Sequence, residues 1–269
     1  MRITGFQLGL LHVPLRTSFK TALRSVEAIE DVIIRLETDT GHLGYGEAPP
    51  TVAITGDSLE SILAALNDRI GPALLGLDVA DIDGNCRIVQ NALPNNSSAK
   101  AAAEIALHDL YAQSLNQPLY MVLGGGRPHL LTDLTISVNE TAIMLTDCES
   151  AIARGFTALK IKVGKDPSGD IERLQAIRRS VAGRASLRID ANQGWTAGQT
   201  IAVMTALESE GGPFELIEQP VPAADIEGMI AVKAAIRTPL LADESAFNLT
   251  QVQQLAERGE RLPIEQTLD

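Results

Sequence analysis

The second half of the chain alternates short apolar segments with helix-like segments, and this alternation restricts the fold more than any other feature. The strand-like segments are residues 134–139, 159–163, 186–190, 214–218 and 240–243. A helix-like segment follows each of them. The first ends at residue 154, and the others are residues 170–181, 196–210, 226–236 and 249–258. Five βα units in succession predict a parallel sheet, either an open doubly wound sheet or a (β/α)8 barrel. No dinucleotide-binding fingerprint follows a predicted strand, which argues against the nucleotide-binding form of the open sheet.

The first half of the chain predicts a separate α+β region. Its strand-like segments are residues 2–13, 29–37 and 43–47, which indicate an antiparallel meander. Helices are expected from Asp57 or Ser58 to about residue 70, through the eighties, and from the Asn95–Ser98 stretch to Leu115. That polar stretch is interpreted as an ordinary N-cap. The glycines at 124–126 are interpreted as a flexible link, which divides the chain into domains at 1–125 and 126–269.

Three acidic residues close consecutive strands of the predicted parallel sheet. Asp190, Glu218 and Asp243 end the third, fourth and fifth strands, and each lies about one βα unit from the next. The ends of parallel barrel strands meet at one face, where active sites lie, so the three carboxylates are expected to converge. Converging carboxylates repel one another unless a cation neutralises them, and oxygen ligands suit Mg2+. A single acid at a strand end would instead be interpreted as a helix cap.

Two lysines share one face of the second predicted strand. Side chains alternate along a strand, so Lys160 and Lys162 point one way while Leu159, Ile161 and Val163 point the other. Lysines on an exposed edge strand can deter edge pairing. In a barrel, however, helices cover the outer face, so the lysines would point inward to the acids. Two neighbouring ammonium groups near a metal are expected to lower each other's pKa, which suits a general base.

A lysine base beside a divalent cation indicates a specific kind of chemistry. The base would remove a proton α to a carboxylate or amide carbonyl, and the cation would stabilise the charge of the resulting enolate. A Schiff-base aldolase that uses Lys160 or Lys162 is an alternative, which the three acids disfavour.

The charge balance of the chain limits the kinds of molecule that it can bind. The chain has 22 basic and 34 acidic residues, and its net charge of -12 disfavours binding to nucleic acid or to an anionic membrane. No uncharged apolar run approaches the thickness of a bilayer, and the first residues lack the apolar core of a signal peptide. Cys86 and Cys148 are expected to be reduced thiols in a cytoplasmic protein. A homo-oligomer is compatible with the sequence, which does not fix the oligomeric state.

Several motifs together resemble the enolase superfamily, in its muconate-lactonizing subgroup. They are Lys160-x-Lys162, Asp190-Ala191-Asn192-Gln193-Gly194-Trp195, Glu218-Gln219-Pro220 and Ala242-Asp243-Glu244-Ser245. The front part is similar to dipeptide epimerases in Phe19-Lys20-Thr21-Ala22-Leu23-Arg24, Gly44-Tyr45-Gly46-Glu47-Ala48-Pro49-Pro50 and Ile54-Thr55-Gly56-Asp57. The resemblance implies an α/β chain with an α+β N-terminal capping domain and an enolase-type TIM (β/α) barrel. It also implies epimerisation of a small dipeptide such as L-Ala-D/L-Glu.

The resemblance also implies a role for individual residues. Asp190, Glu218 and Asp243 would bind Mg2+, and a lysine base with Mg2+ is a known property of enolase-type sites. Lys162 would be the base on one face of the substrate, with Lys160 beside it as a catalytic and substrate-binding residue. Arg24 would pair with the side-chain carboxylate of a glutamyl residue, a role that suits a bidentate guanidinium, and Thr135 would lie near the substrate.

The sequence departs from the family near its C-terminal end. The family's sixth strand normally carries a second lysine in an Ile-Asn-Ile-Lys type of run, which would fall near Thr267, and this chain has no lysine there. Pro263 also fits a central strand poorly. The resemblance therefore indicates a C-terminally truncated barrel that lacks its last strands and cannot close. We expect impaired epimerase activity and poor solubility from such a chain.

Two further interpretations remain open. The same fold could serve a muconate cycloisomerase or an o-succinylbenzoate synthase, although Arg24 and the loop at residues 54–57 favour a dipeptide. A chain that lacks its second base could also be a non-catalytic remnant.

Overall fold

The computed structural model describes residues 1–22, 24–126 and 130–258. The chain forms two compact units. Of the described residues, the first contains Met1–Arg16 and residues 27–126, and the second contains Thr17–Val26 and residues 130–258. The residues between the first two strands therefore belong to the second unit.

The N-terminal sheet has three strands in the order β1-β2-β3. They are β1 (Ile3–Lys20), β2 (Ser25–Thr38) and β3 (Leu43–Ala48). β2 and β3 pair antiparallel with Ile33 opposite Glu47, as the predicted meander requires. β1 is longer than the predicted strand 2–13, because it neighbours β2 in the sheet and continues to Lys20 through a largely polar sequence. Alternating β2 residues Val32, Ile34 and Leu36 are fully buried in the core of this unit.

Helices follow the N-terminal sheet. They are α1 (Leu59–Ala65), α2 (Gly71–Leu74), α3 (Ile82–Asn91), α4 (Ser97–Ser114) and α5 (Leu119–Val122), with a π-helical segment at Leu66–Ile70 between α1 and α2. Ser58 caps α1 in a reciprocal capping box with Ser61, which confirms the expected start of this helix.

The expected N-cap of α4 is wrong. Asn96 has a left-handed backbone (φ 55°, ψ 51°) and makes no side-chain hydrogen bond to the helix. An N-cap side chain normally extends from a β-region backbone, which Asn96 does not have. The Asp57 carboxylate instead accepts hydrogen bonds from the Ser98 backbone N–H at 2.9 Å and the Ser97 hydroxyl at 3.4 Å. A distant acid therefore caps this helix.

The second unit contains the predicted parallel sheet. Its strands are β4 (Leu134–Ile136), β5 (Ala158–Lys162), β6 (Ser186–Asp190), β7 (Leu216–Glu218) and β8 (Leu240–Leu241), and they lie side by side in chain order. Its helices are α6 (Thr141–Ala153), α7 (Pro167–Val181), α8 (Ala197–Gly211), α9 (Ile226–Ala235) and α10 (Leu249–Arg258). A doubly wound sheet reverses its strand order at a switch point, whereas this sheet keeps one direction throughout, as in a barrel.

The two faces of the parallel sheet have different chemistry. One face contributes Leu159, Ile161, Ile189 and Ile217 to an apolar core that also contains residues from the helices. The other face carries Lys160, Lys162, Asp190 and Glu218, which follows from strand alternation. This arrangement confirms that the helices cover the apolar side and leave the charged side chains on the opposite face.

No described helix combines the length and the apolar character needed to cross a membrane. Cys86 and Cys148 are both free thiols, as predicted.

Candidate active site

A row of charged side chains lies at the carboxyl ends of three neighbouring strands. Lys162 of β5 is in register with Asp190 of β6, and Asp190 is in register with Glu218 of β7. Leu241 of β8 continues the row, two residues before Asp243. The sequence spacing therefore places Lys162, Asp190 and Glu218 side by side, as expected.

Lys162 is held by the neighbouring strand end. Its side chain is largely buried, with 6% of the residue exposed, and its ammonium forms an ion pair with the Asp190 carboxylate. The same Nζ donates a hydrogen bond of 2.9 Å to the side-chain oxygen of Asn192. The Asn192 backbone N–H in turn donates to Asp190 Oδ1 at 2.9 Å. The Lys162 amine is thus fixed by the Asp190 carboxylate and by the side chain of Asn192, whose backbone is bonded to that same carboxylate.

Lys160 connects the two buried acids. Its Nζ lies 2.7 Å from Glu218 Oε2 and 3.3 Å from Asp190 Oδ2. Burial alone would lower the pKa of Lys160, but the hydrogen bond and charge of Glu218 and the charge of Asp190 outweigh it, so the pKa is raised. In this arrangement the carboxylates of Asp190 and Glu218 surround the amine closely, and the predicted lowering of the lysine pKa values applies to a site with its cation bound.

The carboxylates at the ends of β6 and β7 are buried close to each other, which disfavours a negative charge on both. Asp190 is fully buried and Glu218 is 4% exposed. Burial and the negative charge of Asp190 raise the pKa of Glu218 to about 8, although Lys160 opposes the shift. Buried acids in contact are stabilised by added positive charge, and their oxygens are the ligands that hard divalent cations prefer.

The end of β8 contributes two more acids. Asp243 is partly buried, and its backbone N–H donates to Gln219 Oε1 at 3.0 Å. The next residue, Glu244, is buried, and its Oε2 has no hydrogen-bond partner among the described residues. Burial and then the charge of Asp243 raise the pKa of Glu244, with a smaller contribution from Asp190. A buried carboxylate oxygen without a partner fits a site that takes a cation.

The described side chains do not yet form a closed ligand set. Within residues 1–22, 24–126 and 130–258, no group of three His, Cys, Asp or Glu side chains is arranged to hold a metal ion. The structure brings Asp190 and Glu218 together, and lysine ammonium groups contact both of them. Among the described residues, Asp243 does not join Asp190 and Glu218 in a group arranged to hold a metal ion. The donor chemistry therefore fits a divalent cation, whereas the third ligand is not in place.

Close backbone packing fixes the loop that follows β5. Gly164 has a φ of +108°, and a Cβ at this position would lie 2.4 Å from the Ala191 carbonyl oxygen. A Cβ at Gly194 would lie 2.4 Å from the Gly164 carbonyl oxygen, so both positions need glycine. The fully buried Asp170 carboxylate accepts from the Gly164 N–H at 2.9 Å. These contacts hold the ends of β5 and β6, and hence Lys162 and Asp190, in one arrangement.

Thr135 and Arg24 lie in the same unit as the lysines. Thr135 is in register with Lys160 on the adjacent strand and lines a cavity of about 530 Å3 together with Lys20 and Ser137. Arg24 lies between β1 and β2, where its backbone N–H donates to Thr21 Oγ1 at 3.3 Å. No salt bridge joins its guanidinium to a carboxylate of the described residues. The structure thus places Thr135 beside Lys160 and shows no contact between Arg24 and the lysine–carboxylate cluster.

Comparison with known proteins identifies the family. Residues 8–124 match the mandelate racemase/muconate lactonizing enzyme N-terminal domain, and residues 144–261 match the enolase C-terminal domain-like family. The chain is 45% identical over 248 residues to the L-Ala-D/L-Glu epimerase of Clostridium acetobutylicum, a match that covers 92% of this chain and 69% of that protein. The chain belongs to the enolase superfamily.

Solved structures of superfamily members share this fold closely. The substrate-liganded L-Ala-D/L-Glu epimerase from Bacillus subtilis has a TM-score of 0.92 and 45% identity, and the match covers 96% of this chain and 72% of that one. A dipeptide epimerase from Enterococcus faecalis, complexed with Mg and the dipeptide L-Leu-L-Tyr, has a TM-score of 0.91 and 34% identity, with the same coverage. These relatives confirm the capping domain and barrel architecture that the motifs implied. These relatives are epimerases, that is, isomerases of the enolase superfamily.

Sequence reasoning missed three site residues of this superfamily member. Asn192 fixes Lys162, Gln219 contacts the loop that carries Asp243, and Glu244 presents an unbonded buried oxygen. All three lie inside the motifs on which the resemblance rests. Gln219 and Glu244 each directly follow a predicted metal ligand, and Asn192 lies two positions after one. That proximity was the available signal, but residue type alone gave no reason to assign them a role. The predicted second-base position near Thr267 and the proline at 263 lie outside the described residues.

Proposed function

We propose that this chain removes the α-proton of a small dipeptide such as L-Ala-D/L-Glu, as a Mg2+-dependent epimerase with an enolate intermediate. The observation that carries the proposal is the placement of Lys162 in register with Asp190 and Glu218, three groups that the mechanism needs within contact distance. Lys162 Nζ contacts Asp190 directly, so a substrate bound at the carboxylates would lie next to the amine.

Asp190, Glu218 and Asp243 would hold the cation. Burial and then the negative charge of Asp190 raise the pKa of Glu218, and Glu244 presents a buried oxygen without a hydrogen-bond partner nearby. When bound, Mg2+ supplies a positive charge that stabilises negative charge developing on a substrate oxygen. Reorientation of the Asp243 side chain towards Asp190 and Glu218 would complete the ligand set.

Lys162 would take the proton at its Nζ. In the present arrangement both lysines neutralise the carboxylates, and Asn192 accepts from Lys162 at 2.9 Å. A divalent cation bound by Asp190 and Glu218 would neutralise them in place of the lysines. Lys162 Nζ would then be able to release its proton and accept the α-proton from the substrate carbon. Lys160 would keep a positive charge beside the reacting carbon, because its contacts favour its protonated form.

The proposed substrate rests on the relatives and on Arg24. The 45% identical protein from Clostridium acetobutylicum is an L-Ala-D/L-Glu epimerase. An arginine without a carboxylate partner in the described residues suits the side chain of a glutamyl residue, which it could bind in bidentate fashion. Thr135 would contact the substrate from the strand beside Lys160.

Inversion of configuration requires a proton donor on the other face of the substrate. The position expected for that donor lies outside the described residues. Removal of the α-proton by Lys162 needs only one base, so exchange with solvent tests the proposal without requiring inversion.

The test is hydrogen exchange in D2O, followed by proton NMR. L-Ala-L-Glu and Mg2+ are incubated with the wild-type chain, the Lys162→Met variant and a matched Lys165→Met variant, whose lysine is exposed and outside the cluster. We expect loss of the glutamyl α-proton signal with wild type and Lys165→Met, and none with Lys162→Met or with EDTA. Exchange that persists in Lys162→Met, or turnover of cis,cis-muconate without dipeptide exchange, contradicts the proposal.

A further inference from the structure

Gln219 directly follows the proposed ligand Glu218 and is completely buried. Its Nε2 donates to Ser245 Oγ at 2.8 Å and to the Val221 carbonyl at 3.0 Å. Its Oε1 accepts from the backbone N–H groups of Asp243 at 3.0 Å and Ser245 at 3.1 Å. Both donors and both acceptor positions of the amide are used, which fixes its orientation.

Gln219 therefore joins two loops that belong to different βα units. Its backbone lies at the end of β7, while three of its four bonds reach residues 243–245, beyond β8. Ser245 extends the connection, because its hydroxyl donates to the Ala223 carbonyl at 2.9 Å. The loop that carries Asp243 is thus bonded to the loop that carries Glu218 through side chains as well as through the strand ladder.

A second glutamine makes the corresponding connection one unit earlier. Gln193 follows Asp190 by three positions, and its Oε1 accepts from the Ala223 N–H at 2.8 Å. Its side chain also faces the Glu244 carboxyl and favours the charged form of that group. The loops that follow β6, β7 and β8 are therefore linked in series by two amide side chains.

The backbone at these glutamines has unusual conformations. Gln193 has a φ of 65° and Gln219 a φ of 30°, both in the left-handed region that side-chain-bearing residues rarely occupy. Such conformations persist only where the surrounding contacts hold them, and they concentrate at functional sites. The Gln193 N–H donates to the Gln219 carbonyl at 2.7 Å, so the two residues support each other.

We propose that Gln219, with Ser245, is a positioning residue that sets the distance of Asp243 from Glu218 and thereby the affinity of the site for its divalent cation. The proposal rests on the proposed function, since it assumes that these acids hold the ion. Groups that orient metal ligands typically change affinity by about 10- to 100-fold when they are lost. A purely structural role would lower stability and leave affinity unchanged.

The test measures Mn2+ binding by EPR, which separates free from bound ion, together with thermal unfolding. The variants are Gln219→Met, which removes all four bonds, and Ser245→Ala, which removes only the hydroxyl. The matched control is Thr238→Val, which deletes a buried hydroxyl that donates to Glu208 at 2.6 Å. Thr238 precedes β8, at the end of the strand opposite to Asp243.

We expect Mn2+ to bind at least about ten-fold more weakly to Gln219→Met and measurably more weakly to Ser245→Ala, with the Thr238→Val affinity unchanged despite lower thermal stability. Variants that bind Mn2+ within about two-fold of wild type overturn the inference alone. Should Gln219→Met fail to fold, Ser245→Ala decides by the same criterion. A wild-type chain that binds no Mn2+ overturns both this inference and the proposed function.

Discussion

Lys162 donates a hydrogen bond of 2.9 Å to the side-chain oxygen of Asn192, thirty residues later in the chain. Asn192 has a left-handed backbone with φ 42°, and its N–H is bonded to the carboxylate of Asp190. The amide that orients the proposed base is therefore held by a proposed metal ligand. The proposed base and the proposed cation site are therefore connected through the loop that carries Asn192.

Loss of the Asn192 amide should slow proton removal more than it weakens the metal site. In Asn192→Leu the Lys162 amine loses one of its two fixed acceptors, and a misplaced base costs about 10- to 100-fold in rate. We expect α-proton exchange in D2O to fall by about that factor, with Mn2+ affinity within a few-fold of wild type. Wild-type exchange rates in this variant would show that Asn192 does not orient the base.

Lys160 should stabilise the metal-free protein, and a divalent ion should substitute for it. Lys160→Met leaves Asp190 and Glu218 with one cation fewer, and removal of one partner from a buried ion pair costs several kcal/mol. Proton uptake by Glu218 would partly replace the missing positive charge and so limit the destabilisation. We therefore expect the free energy of unfolding, measured in urea with EDTA near pH 8, to fall by about 2–4 kcal/mol.

Saturating Mg2+ should recover a larger part of the stability in Lys160→Met than it adds to wild type, through preferential binding to the folded state. The exposed Lys165→Met variant serves as the control and should change stability by less than about 0.5 kcal/mol. An equal Mg2+ effect in both proteins would mean that Lys160 and the ion do not share these carboxylates.

Asp31 should make the first unit less stable as the pH rises. Burial, followed by a hydrogen bond with Glu47 and its negative charge, raises the pKa of Asp31 from 3.8 to about 6. The folded chain therefore binds the proton more tightly than the unfolded chain. The associated stabilisation is complete below about pH 4 and is lost as the pH rises through about 6.

Replacement of Asp31 by Asn should remove that pH dependence and stabilise the protein at pH 8 by on the order of 1–2 kcal/mol. Urea unfolding between pH 4 and 8, with circular dichroism detection, measures the difference. A wild-type profile that is no steeper than that of Asp31→Asn would contradict the assignment.

Asp57 should stabilise α4 from outside the helix. Its carboxylate accepts from the Ser98 N–H at 2.9 Å, and loss of a helix cap typically costs about 1–2 kcal/mol. We expect Asp57→Ala to lose about that amount, whereas Asn96→Ala should lose less, because Asn96 makes no side-chain bond to the helix. Equal losses from both variants, measured by urea unfolding, would restore Asn96 as the cap.

Local sequence patterns predicted the features that depend on regular repetition. Strand alternation placed Lys160 and Lys162 on one face, and the spacing of one βα unit placed Asp190 beside Glu218. These outcomes follow from strand geometry, which is the same wherever parallel strands neighbour each other.

The contacts that the sequence did not predict depend on irregular backbone and distant partners. Gln219 bonds to Ser245, 26 residues away, and Asp57 caps a helix 41 residues later. The pKa of Lys160 depended on how closely the carboxylates surround it, which spacing does not specify. No local pattern encodes such contacts, because they are set by how the loops pack.

We propose above that Asp190, Glu218 and Asp243 hold one divalent ion next to Lys162. Anomalous diffraction from crystals of the chain grown with Mn2+ and L-Ala-L-Glu tests it most directly. We expect a single Mn2+ peak with one oxygen of each carboxylate at about 2.1–2.3 Å. Lys162 Nζ should then face the glutamyl α-carbon. A peak that Asp190 and Glu218 do not share, or an ion that Asp243 does not contact, would rule out this cation site.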